Sequence, residues 1–509
     1  MTSTELAGQA RVALAQRLRQ VAEVLLTDAE VPAAEADPAR DSAVLLDRLV
    51  RSIAVNGRID EVWLLLVALS GALPTEDEVR AAARHLELAG AVDATLWLLE
   101  TALANGAGPA GGPTRNLEVV NGGVVVDVDH SAQYDLHTGI QAVVRSTLPL
   151  WMRDHDVVPV AWTPGYGSYR ALTAAEGERA IGRTTPADTD DTAATAEAAV
   201  ADLPLTVPWH GTLILAEVPP LEACARLSAL AQFSGSRVAA IGYDCIPIVS
   251  ADLVPIVEPN RFGRYLAMIK YAHVVAGISA SATAEFQGFA HMLPTQGLVG
   301  PAVSECILPD EGLAAVGGPA RAVNTDVPIV LSVGSFEPRK NHLALIYAAE
   351  RLWRDGLRFQ LRMIGGSGWG TEVPRVVKQL QANGRPLTME RGVDRADLIA
   401  AYQQARFTVF ASLHEGYGLP VAESLALGVP VITSNFGSTA EIAQGRGGVL
   451  IDPRDDDALV DAIRIMLTDE TIYQGIRSMI PGHQVRTWEE YASELWALAM
   501  TPAVTRERV

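Results

Sequence analysis

The stretch Phe407-Thr-Val-Phe-Ala411-Ser-Leu-His-Glu415-Gly-Tyr-Gly-Leu-Pro420-Val-Ala-Glu423-Ser-Leu-Ala-Leu-Gly428-Val-Pro430 decides the fold. Phe407 to Ala411 reads as a buried strand that runs into a glycine-containing loop. Pro420 is placed as the first residue of a helix, which ends at Gly428 before Pro430. Gly416 and Gly418 let the backbone approach a ligand closely. The unpaired N–H groups at the helix start make an anion site that suits a diphosphate. Glu415 falls in the loop and Glu423 one turn into the helix, so the two carboxylates face different parts of one ligand. A carboxylate only accepts hydrogen bonds, which suits sugar and ribose hydroxyls. Read without a ligand, the same segment is a capped turn with solvated glutamates.

The alternation of strand and helix extends in both directions. Around this stretch the expected strands are Ile329–Val333, Gln360–Ile364, Phe407–Ala411, Val429–Thr433 and Val449–Ile451. An earlier series comprises Val124–Val128, Val157–Trp162, Thr212–Ala216, Arg237–Gly242 and Val274–Ile278, with helices between them that include Ile140–Met152 and Leu221–Phe233. Apolar strands alternating with helices imply parallel sheets covered on both faces. Two series imply an α/β chain of two Rossmann-like domains facing a cleft, with ligands at the carboxyl ends of the strands.

Ahead of them residues 1–104 read as an all-α accessory domain, with Leu14, Leu18, Val21 and Leu25 near one helical stripe and a Thr75/Glu78 capping box. The expected organisation is this helical domain, a Gly/Pro linker at 105–116, a first sheet domain at 117–310, a second at 327–482 and a closing helix at 483–500. Residues 171–205 read as a surface insertion, and 310–326 as a hinge candidate.

A chain of 509 residues exceeds one core. Its 60 acidic and 40 basic side chains leave a net charge of -20, which argues against nucleic acid as a partner. Any anionic ligand then needs a local basic pocket. Cys224, Cys245 and Cys306 show no metal-ligand spacing and suit a reducing compartment. Without a signal pattern or an apolar run near the roughly 20 residues of a membrane span, the reading is cytoplasmic.

Three further segments bear on chemistry. In Val333-Gly-Ser-Phe-Glu-Pro-Arg339-Lys340-Asn341, adjacent basic residues follow a strand and precede a helix. Such a pair suits a diphosphate, and a merely solvated pair is disfavoured there by the helix dipole. Ile364-Gly365-Gly366-Ser-Gly-Trp369-Gly ends the next strand on the same rim. Asp394-Arg-Ala-Asp-Leu398 is a capped helix start that either borders a nucleobase pocket or is an ordinary helix start.

Together these residues resemble the GT-B family of retaining glycosyltransferases known as family 4. The resemblance spans roughly residues 120–500 and rests on the paired glutamates Glu415 and Glu423, Pro-Arg339-Lys340-Asn, the Gly365-Gly366-Ser-Gly turn, and Glu441 after Ser434-Asn-Phe-Gly-Ser. More loosely, His137-Thr-Gly139-Ile-Gln is similar to the family's Thr-Gly-Ile loop, Tyr243-Asp-Cys-Ile-Pro to its His-Asp-x-Ile-Pro segment, and Arg486-Thr-Trp488-Glu to its helix that crosses back to the first domain.

The resemblance implies transfer of a hexose from a nucleoside diphosphate sugar with retention and with no metal or other cofactor. Arg339 and Lys340 would stabilise the departing diphosphate, with Gly334, Gly365 and Gly366 lining the donor site and Gly139 facing it across the cleft. Glu415 would orient the sugar, backbone N–H groups of Tyr417, Gly418 and Leu419 would hold its hydroxyls, and Glu423 would bind the ribose. Tyr243 stands where many relatives have a histidine on the donor sugar, and His130 and His137 are nearby alternatives. Pro-Arg-Lys-Asn-His with Gly-Ser-Gly-Trp is similar to the mannosyltransferase-like subgroup that builds surface polysaccharides, which points to GDP-mannose, with UDP-hexoses the alternative.

A glycan, a lipid-linked molecule or a small molecule would be the acceptor, the second of these met at the inner membrane face. The rival reading is a non-catalytic GT-B scaffold, for which residues 1–104 suit a homo-oligomer or a protein partner. A phosphorylase is disfavoured, since no lysine motif for pyridoxal phosphate is found.

Overall fold

The computed structural model describes residues 3–106, 112–134, 138–183, 200–201, 203–310, 327–480 and 486–501. His137 and residues 311–326 of the hinge candidate at 310–326 lie outside the described residues, as do 184–199 and 202 of the expected insertion. Five helices come first: α1 (Ser3–Leu25), α2 (Pro38–Asn56), α3 (Ile59–Ser70), α4 (Glu76–Leu88) and α5 (Ala91–Gly106). Asp37 caps α2 ahead of Pro38, and Gly57 closes it in the left-handed region at φ 63°. Thr75 and Glu78 form the expected capping box of α4. Helix α3 is buried on every face from Val62 to Ser70, as an apolar helix without a polar stripe must be.

The helical layer and the first sheet share one core, in which Leu18, Leu64 and Val67 join Val125, Trp209 and Leu213. Trp63 stacks on Trp209 with ring centroids 6.3 Å apart. Arg17 is buried in the seam and donates to the carbonyls of Ala68 at 2.7 Å, Pro113 at 2.9 Å and Arg115 at 2.7 Å. Burial lowers its pKa only to about 10, so it stays charged at neutral pH.

The first sheet contains β1 (Leu117–Asn121), β2 (Val124–Asp127), β3 (Val157–Trp162), β4 (Tyr169–Ala171), β5 (Leu205–Trp209), β6 (Thr212–Leu215), β7 (Arg237–Gly242), β8 (Val274–Gly277) and β9 (Ala302–Glu305). Its order is β1-β5-β4-β3-β2-β6-β7-β8-β9, and β4 alone runs antiparallel to its neighbours. The second sheet contains β10 (Ile329–Val333), β11 (Gln360–Ile364), β12 (Leu387–Glu390), β13 (Phe407–Phe410), β14 (Val431–Ser434) and β15 (Gly448–Ile451). It is parallel throughout in the order β12-β11-β10-β13-β14-β15, the doubly wound arrangement.

Three expectations shift. Strand β14 begins at Val431 rather than Val429, because Pro430 has no N–H for the ladder and the Val429 N–H closes the preceding helix onto Ser424. Pro420 is the second helical residue, with Gly418 as the cap. The 171–205 segment is not wholly superficial: it contains the end of β4, helix Ala174–Ala180 and the first residue of the fully buried β5.

The two sheets meet along an apolar seam in which Val126, Ile241 and Ala276 join Phe410, Tyr417 and Val431. Helix Trp488–Met500 lies against helix Gly139–Asp154 of the first sheet, where Trp151 Nε1 donates to the Ala492 carbonyl at 3.0 Å. Among the described residues no helix is long and apolar enough to cross a membrane.

Candidate functional site

In the second sheet β10 and β13 are neighbours, yet the chain leaves them towards opposite edges. The crevice between their carboxyl ends is the switch point at which open sheets bind ligands. Both of the strongest sequence motifs lie on the loops that leave this point. After β10, a short turn at Pro338–Lys340 is closed by Asn341 at φ 57°, whose side chain donates to the Pro453 carbonyl at 2.8 Å. After β13, the Leu413 N–H bonds the Arg339 carbonyl at 2.9 Å and ties the two loops together.

Arg339, Lys340 and Glu415 converge as one cluster. Arg339 Nη1 donates to Glu415 Oε2 at 2.7 Å and to the His414 carbonyl at 2.8 Å, and Nη2 donates to Glu337 at 3.1 Å. Lys340 Nζ donates to Glu415 Oε1 at 2.7 Å and lies 4.9 Å over the Phe410 ring. Burial pushes the Glu415 carboxyl up, but Lys340 and then Arg339 outweigh it and hold it down at about 2. Burial draws Lys340 below its ordinary value, although Glu415 opposes the change. For Arg339 burial is overcome by Glu415 and Glu337, so the guanidinium is held more firmly charged. Ion pairs to Glu415 and Glu337 therefore hold the basic pair in place.

Glycine allows the loops around it to close. A side chain on Gly365 would start 1.8 Å from the Gly334 carbonyl, and one on Gly368 would start 2.2 Å from the Phe336 carbonyl. Gly365 thus packs one loop on another, whereas nothing lies within 4 Å of a Cβ at Gly366. Gly334 adopts φ 151° beside Lys340 and Phe410. Gly418 sits at φ 108°. Among the described residues, the backbone N–H groups of Tyr417, Gly418 and Leu419 have no acceptor. They form a donor cradle at the start of helix Leu419–Ala426. One turn on, Glu423 accepts from the Tyr402 hydroxyl at 2.9 Å, and burial pushes its carboxyl up to about 7.

The first sheet faces this rim. A Cβ on Gly139 would lie 3.5 Å from Leu419 Cδ1. Thr138 and Gln141 box the helix that Gly139 begins, and the Gln141 amide lies 2.7 Å from His130 Nδ1. His130 is thus part of the loop's internal bonding. Glu217 accepts from the N–H groups of His130 at 2.7 Å and Ser131 at 2.9 Å. Buried Asp127 accepts from Tyr169 at 2.9 Å. The Tyr243 hydroxyl donates to the Ala216 carbonyl at 2.7 Å inside the first sheet domain, and the residue is 7% exposed. What Tyr243 turns to the second domain is its own carbonyl, 2.4 Å from where a Cβ on Gly416 would stand.

Partners from distant parts of the chain fix this junction. His414 bonds Ser250 at 2.8 Å and Glu285 at 2.7 Å, and Ser279 donates to the Gly416 carbonyl at 2.7 Å. The Tyr417 hydroxyl reaches the Leu308 carbonyl at 2.8 Å, and Ser438 holds the Glu415 carbonyl at 2.9 Å. Glu285, Ser279, Tyr402, Asp127 and Glu217 carry no local motif, and their partners come from distant parts of the chain. Ser279 shows only as a plausible helix cap.

The family described as glycosyl transferases group 1 matches residues 319–480. O-antigen chain mannosyltransferase B of Escherichia coli is 34% identical over 142 residues, which cover 28% of this chain and 37% of that protein. D-inositol 3-phosphate glycosyltransferase of Corynebacterium urealyticum is 28% identical over 191 residues, covering 35% and 43%. The chain thus spans less than half the length of these curated relatives. The structure of α,α-trehalose 6-phosphate synthase from Burkholderia multivorans superposes with a TM-score of 0.50 at 14% identity, covering 74% of this chain and 96% of that one, a likeness of fold. Residues 319–480 are a glycosyl transferases group 1 domain, within a chain of GT-B architecture that a layer of helices precedes.

Proposed function

We propose that this chain is a retaining, metal-independent glycosyltransferase that moves a hexose from a nucleoside diphosphate sugar to a glycan, lipid-linked or small-molecule acceptor on the cytoplasmic side of the membrane. The observation that carries the reading is the meeting of Arg339, Lys340 and Glu415 at the switch point, beside the free N–H groups of Tyr417, Gly418 and Leu419. As the bond from the anomeric carbon to the diphosphate oxygen breaks, Arg339 and Lys340 meet the charge that develops on that oxygen. The acceptor oxygen bonds the anomeric carbon from the same face, and its proton passes to the leaving phosphate. Glu415 and the amide cradle orient the sugar, and Glu423 holds the ribose. The mannosyltransferase among the relatives favours mannose as the hexose, and the inositol-phosphate glycosyltransferase keeps other hexoses in the panel; GDP-mannose is the donor proposed, with UDP-hexoses the alternative. The inward-turned Tyr243 hydroxyl is what favours a non-catalytic scaffold instead.

The deciding experiment measures nucleotide release from GDP-, UDP-, ADP- and dTDP-sugars by wild type and Lys340→Ala, with calorimetric nucleotide binding on the same panel. Release from one donor that falls at least ~100-fold in the variant supports the reading. A wild type that neither hydrolyses nor binds any of them sinks it in favour of the scaffold.

A further inference from the structure

His414 has no task in the proposed reaction, yet it joins the two halves of the site. Its imidazole leaves the second sheet altogether: Nδ1 lies 2.8 Å from Ser250 Oγ and Nε2 lies 2.7 Å from Glu285 Oε1, both on the first sheet domain. The other Glu285 oxygen accepts from the Cys245 N–H at 2.7 Å, which fixes the turn that begins at Tyr243. On its backbone side, His414 gives its carbonyl to Arg339 Nη1 at 2.8 Å, and the same nitrogen holds Glu415 at 2.7 Å. Two hydrogen-bonded steps therefore separate the first sheet domain from the basic pair.

Several groups face the ring. They are Glu285 from helix Ala280–Met292, Ser250 and Asp244 from the segment after β7, and Glu415 from its own loop; the Arg339 guanidinium lies on the backbone side. Burial opposes charge on the imidazole, but Glu285, then Asp244 and Glu415, favour it and carry His414 above its usual value. A neutral ring keeps the hydrogen-bond geometry and loses the charge attraction to Glu285. Two other hydrogen bonds join this loop to the first sheet domain, Ser279 Oγ to the Gly416 carbonyl at 2.7 Å and the Tyr417 hydroxyl to the Leu308 carbonyl at 2.8 Å, and neither depends on the charge of the imidazole.

We propose that His414 is a positioning residue, a clasp that draws the first sheet domain onto the loop bearing Glu415 and so aligns Arg339 and Glu415 for the donor diphosphate. Its part in turnover rests on the glycosyltransferase reading; the clasp itself does not. A group whose folded pKa is raised contributes fully below its ordinary value and is lost as pH rises through the folded value. The clasp is therefore tight in mild acid and loosens in alkali.

The test is small-angle scattering of the nucleotide-free full chain between about pH 5.5 and 9, a range spanning the imidazole titration, for wild type, His414→Gln and Glu285→Gln. Thermal melts check that each variant is folded. The wild-type radius of gyration is expected to rise with pH along one titration. His414→Gln is expected to show no such titration, and Glu285→Gln to move its midpoint to lower pH. A pH-independent wild type, or a glutamine variant that reproduces the wild-type titration, overturns the proposal. Calorimetry with GDP and UDP on the same samples separates the two ideas, since a wild type that binds neither counts against the glycosyltransferase reading while the scattering still decides the clasp. Where turnover is measured, His414→Gln is expected to lower kcat about tenfold while nucleotide Kd stays within about threefold, since Arg339 and Lys340 remain.

Discussion

Replacing Glu415 by glutamine separates the two things this carboxylate does. Its pKa falls from an ordinary 4.5 to about 2 in the folded chain. At about 1.4 kcal/mol per unit, its ion pairs favour the folded state by about 3 kcal/mol at neutral pH. The side chain is 9% exposed, so salt screens little of this. Because the folded pKa is depressed, the stabilisation is present above the unfolded value and is lost as pH falls through about 2. Glu415→Gln should therefore lower the stability of the second sheet domain at pH 7 by about 3 kcal/mol, and the gap to wild type should close in strong acid. Urea unfolding followed by tryptophan fluorescence reads this, since Trp353 and Trp369 lie in that domain. The variant also frees Arg339 and Lys340 from their internal anion. Pyrophosphate and nucleoside diphosphate should then bind about tenfold tighter, a change of roughly 1.4 kcal/mol, while turnover falls because the sugar loses its acceptor group. A stability loss under about 1 kcal/mol would mean that the cluster is as weak as a solvated surface pair. Weaker diphosphate binding would mean that Glu415 organises the pair rather than competing for it.

Glu423 has its carboxyl pushed up to about 7, so its contribution to folding is complete below the ordinary 4.5 and is lost as pH rises through about 7. Nucleotide affinity should move the other way, rising with pH as the carboxylate forms, and Glu423→Gln should flatten that dependence in calorimetry across the same range. Tyr243→Phe removes the bond to Ala216 and should cost about 1 kcal/mol in thermal stability while leaving the donor KM unchanged; a donor KM raised about tenfold would put the hydroxyl on the sugar. Gly365→Ala should destabilise the second sheet domain strongly, because its Cβ would stand 1.8 Å from the Gly334 carbonyl. Gly366→Ala meets open space and should melt within a degree or two of wild type; equal losses in the two variants would refute this division of roles.

Features with local causes were legible in the sequence. The strand, glycine loop and helix around Glu415 follow from short-range signals, as do the Thr75 capping box and the Asp394 cap on Asp397. The errors were local too. Strand β12 is four residues of Leu-Thr-Met-Glu with little apolar signal, and β4 is only three residues long. The start of β14 was misplaced because Val429 looks like strand, whereas Pro430 ends the ladder there. Nothing near Tyr243 in sequence announces that Ala216 takes its hydroxyl, 27 residues away.

By itself the sequence determined the alternation that makes two parallel sheets, the rim that the motifs share, and the residue types that suit a diphosphate sugar. These are short-range matters: periodicity, turn chemistry and the order of motifs along the chain. Only the tertiary structure decided which charges meet. Arg339 and Glu415 are 76 residues apart and become one ion-paired cluster because β10 and β13 are neighbours in the sheet. His414 and Glu285 are 129 residues apart and meet because the two sheets face one another. Coulomb energy depends on distance in space and on burial, and a linear chain carries neither until it is folded.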